Sequence, residues 1–189
     1  MKCKRVRISI GFVILAAFLF YLDQDSQLFF QGMLVCALHE MGHVIAICVF
    51  GSCIEGLRLS VAGAELVLNE SRSLSYGKEI VVAAAGPAAS FLLAWMAAKH
   101  HRYLFAGMSM TAGVFNILPI WPLDGGRVLL FALYGICEPQ RAEQIVKLLS
   151  FGLIGILFGL GIYVFLRFGN PTLCITGGWL FFGAIKKVF

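Results

Sequence analysis

Long apolar runs with few polar interruptions follow one another along most of the chain. Those at 8–22, 28–50, 80–98, 103–123, 148–166 and 168–185 each have the composition of a helix in lipid. As a helix, the second run would extend about 34 Å, enough to cross the hydrocarbon core of a bilayer. The pattern therefore predicts an all-α integral membrane protein with about six transmembrane helices.

Residues 54–70 follow a different pattern, because apolar and polar positions alternate along them. Leu57 and Leu59 would face one side of a strand and Arg58 the other, and Gly63 marks a turn. Lipid cannot satisfy the hydrogen bonds of an exposed strand edge. The alternation predicts a small membrane-associated β-hairpin whose edge must be covered by protein or face a water-filled cleft.

A second connection, residues 127–147, has an apolar portion that is too short to cross a bilayer. Its helix-forming residues are interrupted by the polar stretch "EPQRAEQ". We expect an interfacial or re-entrant helix over this segment.

The composition indicates one membrane-embedded domain over residues 1–189. Hydrophobic residues make up 60% of the chain and charged residues 13%. Soluble domains carry about 25% charged residues. Six cysteines without a CxxC pair favour neither a disulfide framework nor a thiolate zinc site.

Basic residues at both ends predict the orientation in the membrane. They lie at 2–7 and at 186–187, and an even number of spans would return both ends to one side. The positive-inside rule makes that side the cytoplasm, although the "KHHR" loop at 99–102 would then lie outside. Because the N-terminal basic run adjoins an apolar run, it predicts a contact with the lipid bilayer rather than with nucleic acid. The expected location is the cell membrane, with a multi-pass chain.

The second apolar run contains the motif His39-Glu40-Met41-Gly42-His43. Positions i and i+4 share one face of a helix, so both imidazoles can reach one metal ion. Glu40 lies about 100° further round the helix and can contact a water on that ion without binding it. Ionisable residues at membrane depth indicate function, because each costs about 3 kcal/mol to insert.

The third zinc ligand is less certain from the motif alone, because a catalytic zinc needs three protein ligands and one open position. Asp124 in "FNILPIWPLDGGRVL" is the favoured candidate, because it ends an uncharged span beside two prolines and two glycines. By itself, Asp124 could equally be the N-cap of a helix that begins near residue 127. Glu65 and Glu70 are alternative ligands, whereas His100 and His101 fit a solvated loop better.

The HExxH motif at 39–43 and the NxxPxxPLDGGR motif at 116–127 together resemble the site-2 protease family of intramembrane zinc metalloproteases. Six spans with cytoplasmic termini resemble in particular the branch of stage IV sporulation protein FB. "AAAGPAAS" at 83–90 is similar to the Gly-Pro element of the family. Members of the family often have asparagine at the position that Ser90 occupies here. The sequence shows neither a PDZ-like insertion nor a nucleotide-binding CBS domain after the last span.

The resemblance implies one Zn²⁺ per chain, with His39, His43 and Asp124 as ligands and Glu40 as general base. It also implies that Asn116 binds substrate. The expected partner is a membrane-bound protein substrate, and a sporulation sigma-factor precursor is the kind that this branch implies. Membrane partners that regulate the enzyme are compatible with the resemblance, but no residue identifies them.

Two other classes of function compete with proteolysis. An inactive membrane scaffold would have no need of Glu40, which is intact here. A metal transporter would distribute polar groups along several spans, whereas here they concentrate in two. The sequence therefore favours a zinc metalloendopeptidase.

Overall fold

The computed structural model describes residues 5–10, 17, 20–21, 27–52, 54–60, 63–68 and 74–186. The first predicted span, 8–22, falls largely outside these residues. The chain divides into two compact units, Met1–Val114 and Phe115–Phe189. The elements in chain order are β1 (Arg5–Ile8), α1 (Leu28–Val49), β2 (Ile54–Ser60), β3 (Gly63–Leu68), α2 (Tyr76–Lys99), α3 (Tyr103–Asn116), α4 (Asp124–Tyr134), α5 (Pro139–Phe168) and α6 (Thr172–Lys186).

Three of the described helices, α1, α2 and α5, are long and apolar enough to cross a membrane. Helix α6 is apolar but shorter. Large apolar side chains on α5 face outward, and Leu148 and Leu166 are each 77% exposed. An exposed apolar surface of this kind is unusual on a soluble protein and suits contact with lipid. The predicted count of six transmembrane helices is not reached among the described residues.

Strands β2 and β3 lie inside the stretch 54–70, where the alternation predicts a hairpin. They pair antiparallel, with Leu57 opposite Leu66 and Ser60 opposite Gly63. The sequence gives no signal for β1, which adds a third strand by pairing parallel to β2, with Arg5 opposite Gly56. The described part of the basic N-terminal run therefore lies beside the strands that follow α1.

In the first unit, small residues bring α1 and α2 close together. The buried positions of α1 recur every fourth residue, at Val35, His39, His43 and Ile47. A Cβ atom at Gly42 would lie 2.6 Å from the carbonyl oxygen of Ala85, which is too close for any side chain. The two helices can therefore approach only because residue 42 has no side chain.

The fourth predicted span, 103–123, is wrong in length, because α3 ends at Asn116 after 14 residues. A helix of that length rises about 21 Å, less than the roughly 30 Å of the hydrocarbon core. Pro119 and Pro122 follow the end of the helix. Proline cannot donate a backbone hydrogen bond and disfavours helix at the preceding residue, which accounts for the early end.

The interfacial or re-entrant helix predicted for 127–147 does not extend over that whole segment. The segment contains α4, which ends at Tyr134, and the first turns of α5, which begins at Pro139. Proline suits the first turn of a helix, where its missing N–H leaves no bond unmade. Helix α5 is one continuous helix of 30 residues, and it ends before Gly169, which adopts the left-handed conformation at φ 70°.

The core of the second unit is formed by α5, α6 and the loop that precedes α4. Its buried cluster contains Ile120, Leu123, Ile154, Leu180 and Ala184. Helices α5 and α6 approach closely at Gly161, where a Cβ atom would lie 2.8 Å from the backbone nitrogen of Cys174. At Gly159, two residues earlier on α5, no described residue outside the nearby turns of the helix lies within 4 Å of the Cβ position.

We expect Gly161→Ala to lower the thermal unfolding midpoint in detergent micelles, because the added methyl group overlaps the backbone of α6. Overpacking of this kind costs about 1–3 kcal/mol. Gly159→Ala is the matched control and should leave the midpoint unchanged or slightly higher. Equal midpoints for the two variants would contradict the close approach of α5 and α6.

Candidate metal and catalytic centre

His39 and His43 lie together on the buried face of α1, as the i, i+4 spacing predicts. The two side chains are 6% and 4% exposed. Their ring centroids are 5.1 Å apart and their planes are inclined at 76°. Two imidazoles in this arrangement can offer one nitrogen each to a single ion.

His43 is held by a backbone group of α2. Its Nδ1 lies 2.7 Å from the carbonyl oxygen of Val82. A carbonyl oxygen only accepts, so Nδ1 donates and therefore carries the proton. In neutral His43, Nε2 therefore carries no proton. This tautomer can offer the lone pair of Nε2 to a metal ion.

His39 is held by a side chain of α2. Its Nδ1 lies 2.8 Å from the hydroxyl oxygen of Ser90, which is fully buried. The sequence left the role of Ser90 undefined, and this contact supplies one. The i, i+4 spacing of Gly86 and Ser90 places both residues on one face of α2, but no local pattern identifies His39 as the partner of Ser90.

The Nε2 atoms of both histidines face Gly86. A Cβ atom at this position would lie 2.7 Å from Nε2 of His39 and would overlap Nε2 of His43. From the sequence, the Gly86-Pro87 pair could have been only a kink, yet α2 continues unbroken from Tyr76 to Lys99 through Pro87. Gly86 instead leaves open the space beside the two nitrogen atoms.

Glu40 follows His39 on α1 and is half-buried. It lies at the border of the buried face, since neighbouring residues on a helix are about 100° apart. A carboxylate in this position is within the membrane-spanning length of α1 and adjoins the imidazole pair along the chain.

In the second unit, Asp124 is the first residue of α4 and is 8% exposed. The N-cap of this helix is Leu123, without a side-chain cap hydrogen bond. Asp124 is therefore not the N-cap that the alternative interpretation required. A buried carboxylate needs a partner to offset its desolvation, and a metal ion is one such partner.

The loop before Asp124 packs against the two glycines that follow it. A Cβ atom at Gly125 would overlap the carbonyl oxygen of Ile117, and one at Gly126 would lie 2.6 Å from that of Ile120. The sequence predicts this close backbone approach at Gly125-Gly126, and the packing confirms it. The start of α4 is thus fixed against residues 117–120.

A buried serine on α5 also holds this loop. The backbone N–H of Trp121 donates to the hydroxyl oxygen of Ser150 at 2.8 Å, and that hydroxyl donates to the carbonyl oxygen of Val146 at 2.7 Å. Ser150 is 1% exposed. It anchors the loop three residues before Asp124, and no pattern in the sequence indicates this role.

The other candidates occupy different settings. Asn116 is the last residue of α3 and is half-buried. Glu65 lies on β3, at the position opposite Arg58 in the register of β2 and β3. Glu70 is outside the described residues. His100 and His101 are exposed after the end of α2, as expected for a solvated loop.

Comparisons with known proteins agree on one family. The family model of peptidase family M50 matches residues 94–160, which include the NxxPxxPLDGGR motif but not HExxH. Stage IV sporulation protein FB of Bacillus subtilis is 33% identical over 123 residues, which are 60% of this chain and 42% of that protein. A zinc metalloprotease of Methanocaldococcus jannaschii is 27% identical over 166 residues, 79% of this chain and 46% of that one. The chain thus spans less than half the length of these curated relatives.

The fold is that of a solved relative. The site-2 protease from Methanocaldococcus jannaschii superposes with a TM-score of 0.76 at 20% identity, covering 100% of this chain and 93% of that structure. The chain therefore has the fold of a site-2 protease and is similar in sequence to peptidase family M50 over residues 94–160. Its apolar helices support a location in the membrane.

We expect Gly86→Ala to lower the zinc content of the purified protein, because the methyl group displaces both Nε2 atoms. The binding constant should fall about tenfold or more, as for other changes next to metal ligands. Zinc per chain, measured by atomic emission after purification, checks this.

Gly77→Ala on the same helix is the matched control, because no described residue outside the nearby turns of α2 lies within 4 Å of its Cβ position. It should keep the zinc content of the wild type. Full zinc occupancy in Gly86→Ala would contradict the placement of the metal beside residue 86.

Proposed function

We propose that the protein is an intramembrane zinc metalloprotease that hydrolyses a peptide bond in or next to a transmembrane segment of a membrane-bound substrate. The observation that carries the proposal is the buried imidazole pair of His39 and His43 within an apolar helix long enough to cross a bilayer. Similarity to peptidase family M50 and to the fold of a site-2 protease supports the same activity.

His39, His43 and Asp124 are the proposed ligands of one Zn²⁺ per chain. All three residues are buried, and each carries a nitrogen or oxygen atom that zinc can accept as a ligand. Two imidazoles and one carboxylate form a donor set typical of catalytic zinc. The tautomer of His43 and the space at Gly86 both fit such an ion.

Zinc supplies Lewis acidity, which makes water a nucleophile at neutral pH and polarises the carbonyl group of a peptide bond. Glu40 is the proposed general base, which accepts the proton of the attacking water and later returns it to the leaving amine. A positioned acid–base group contributes about 10²–10⁴-fold to the rate. Asn116 is the proposed substrate-binding residue, and its amide can hydrogen-bond the substrate backbone.

We propose that the chain crosses the cell membrane several times and has both termini in the cytoplasm. The basic residues at 2–7 and 186–187 support this orientation. The pairing of β1 with β2 supports a common side for the basic N-terminal run and the strands after α1. The whole of residues 1–189 then acts as one transmembrane protease domain.

The proposed substrate is a membrane-tethered protein, and a sporulation sigma-factor precursor is the candidate suggested by the similarity to stage IV sporulation protein FB. A helical peptide bond is shielded by its own backbone hydrogen bonds, so the substrate must unwind locally before cleavage. Regulatory membrane partners fit this scheme, whereas a nucleic-acid partner does not.

Two alternative functions predict different results. An inactive scaffold that retains the fold predicts binding of membrane proteins without cleavage. A metal transporter predicts uptake of zinc into vesicles that contain the purified protein. The half-buried Glu40 beside the two histidines favours hydrolysis over both alternatives.

We expect Glu40→Gln to lower cleavage of a membrane-bound substrate by about 100-fold or more, because the amide cannot accept a proton. Zinc content should stay at the wild-type level, since Glu40 is not a ligand. New protein ends in or beside the transmembrane segment, detected by mass spectrometry, measure the cleavage. Glu138→Gln, at an exposed glutamate before α5, is the matched control and should cleave normally. Equal product from Glu40→Gln and wild type would refute the role of Glu40.

Asp124→Asn should retain less zinc than wild type after dialysis, because a neutral amide is a weaker ligand than a carboxylate. The zinc content of the two purified proteins, compared at equal folding by circular dichroism, tests this. Full occupancy in the variant would instead point to Glu65 or Glu70 as the third ligand.

A further inference from the structure

The two histidines of the centre are held in different ways. His43 is fixed by the backbone carbonyl of Val82, a group that no substitution removes. His39 is fixed by the hydroxyl of Ser90, 2.8 Å from its Nδ1. The hydrogen bond that holds His39 therefore depends on the identity of residue 90.

The tautomer of His39 decides whether it can bind a metal through Nε2, the atom that faces Gly86. If the hydroxyl of Ser90 donated to Nδ1, the proton of neutral His39 would be on Nε2, and that atom could not be a ligand. If the hydroxyl accepts from Nδ1, the lone pair is on Nε2. The second arrangement is the one that matches His43.

Ser90 is able to accept this hydrogen bond, because a serine hydroxyl carries two lone pairs beside its one proton. The hydroxyl lies 2.8 Å from Nδ1 of His39 and is fully buried, where loss of a hydrogen-bond partner is costly.

We infer that Ser90 is a positioning residue that holds His39 as the Nδ1–H tautomer and aims its Nε2 at the metal. The inference rests on the proposed function, because it assigns Ser90 to the same zinc centre. The group that accepts from Nδ1 of His39 is then a hydroxyl, which is a weaker acceptor than a carboxylate. The affinity of this centre for zinc therefore depends on residue 90.

The experiment compares Ser90→Ala with wild type in chelator competition for Zn²⁺, using the full chain in detergent micelles. We expect the dissociation constant to rise about 10–100-fold, as for the loss of other outer-shell partners. Ser109→Ala is the matched control: Ser109 is equally buried, and its hydroxyl has no hydrogen-bond partner among the described residues. Ser90→Thr, which keeps the hydroxyl, should bind zinc nearly as tightly as wild type.

A second measurement needs no variant. Nitrogen-15 NMR of imidazoles in the zinc-free wild type should show His39 protonated on Nδ1, and protonation on Nε2 would overturn the inference. Unchanged zinc affinity in Ser90→Ala would also overturn it while leaving the protease proposal intact. A folded wild type that binds no zinc would contradict the proposed function itself.

Discussion

Two imidazole rings buried in an apolar helix are the constraint on which the rest of the structure depends. Each ring has two nitrogen atoms, and lipid can hydrogen-bond none of them. Helix α2 provides the partner of each Nδ1, through Val82 and Ser90, and so must lie against α1. Such contact requires small residues, which Gly42 and Gly86 provide. The chemistry of the centre therefore determines the packing of the two helices.

In the second unit, the buried ionisable group is a carboxylate. Asp124 is buried at the start of a helix, where the backbone is held by close contacts at Gly125 and Gly126 and by Ser150. None of these contacts needs a metal to form. The position of the carboxylate is thus fixed by the fold in advance, as the geometry of a catalytic zinc site requires.

Features that depend on neighbouring residues in the sequence could be predicted, whereas contacts between distant residues could not. The runs 28–50 and 80–98 closely match α1 and α2, because hydrophobic length is a strong signal in membrane proteins. The shared face of His39 and His43 followed from helical periodicity alone. Runs that contain proline were less predictable, since hydropathy counts Pro119 and Pro122 as neutral while the backbone cannot continue a helix through them. The pairing of β1 and the contact of Ser90 with His39 join distant parts of the chain, so no local pattern indicates them.

The central claim is that one zinc ion is bound by both imidazoles of α1. X-ray absorption at the zinc edge of the purified wild-type protein tests it most directly. The account predicts one ion per chain with two imidazole nitrogens at about 2.0–2.1 Å and oxygen in the remaining positions. A first shell that contains sulfur, or one without imidazole scattering, would contradict it.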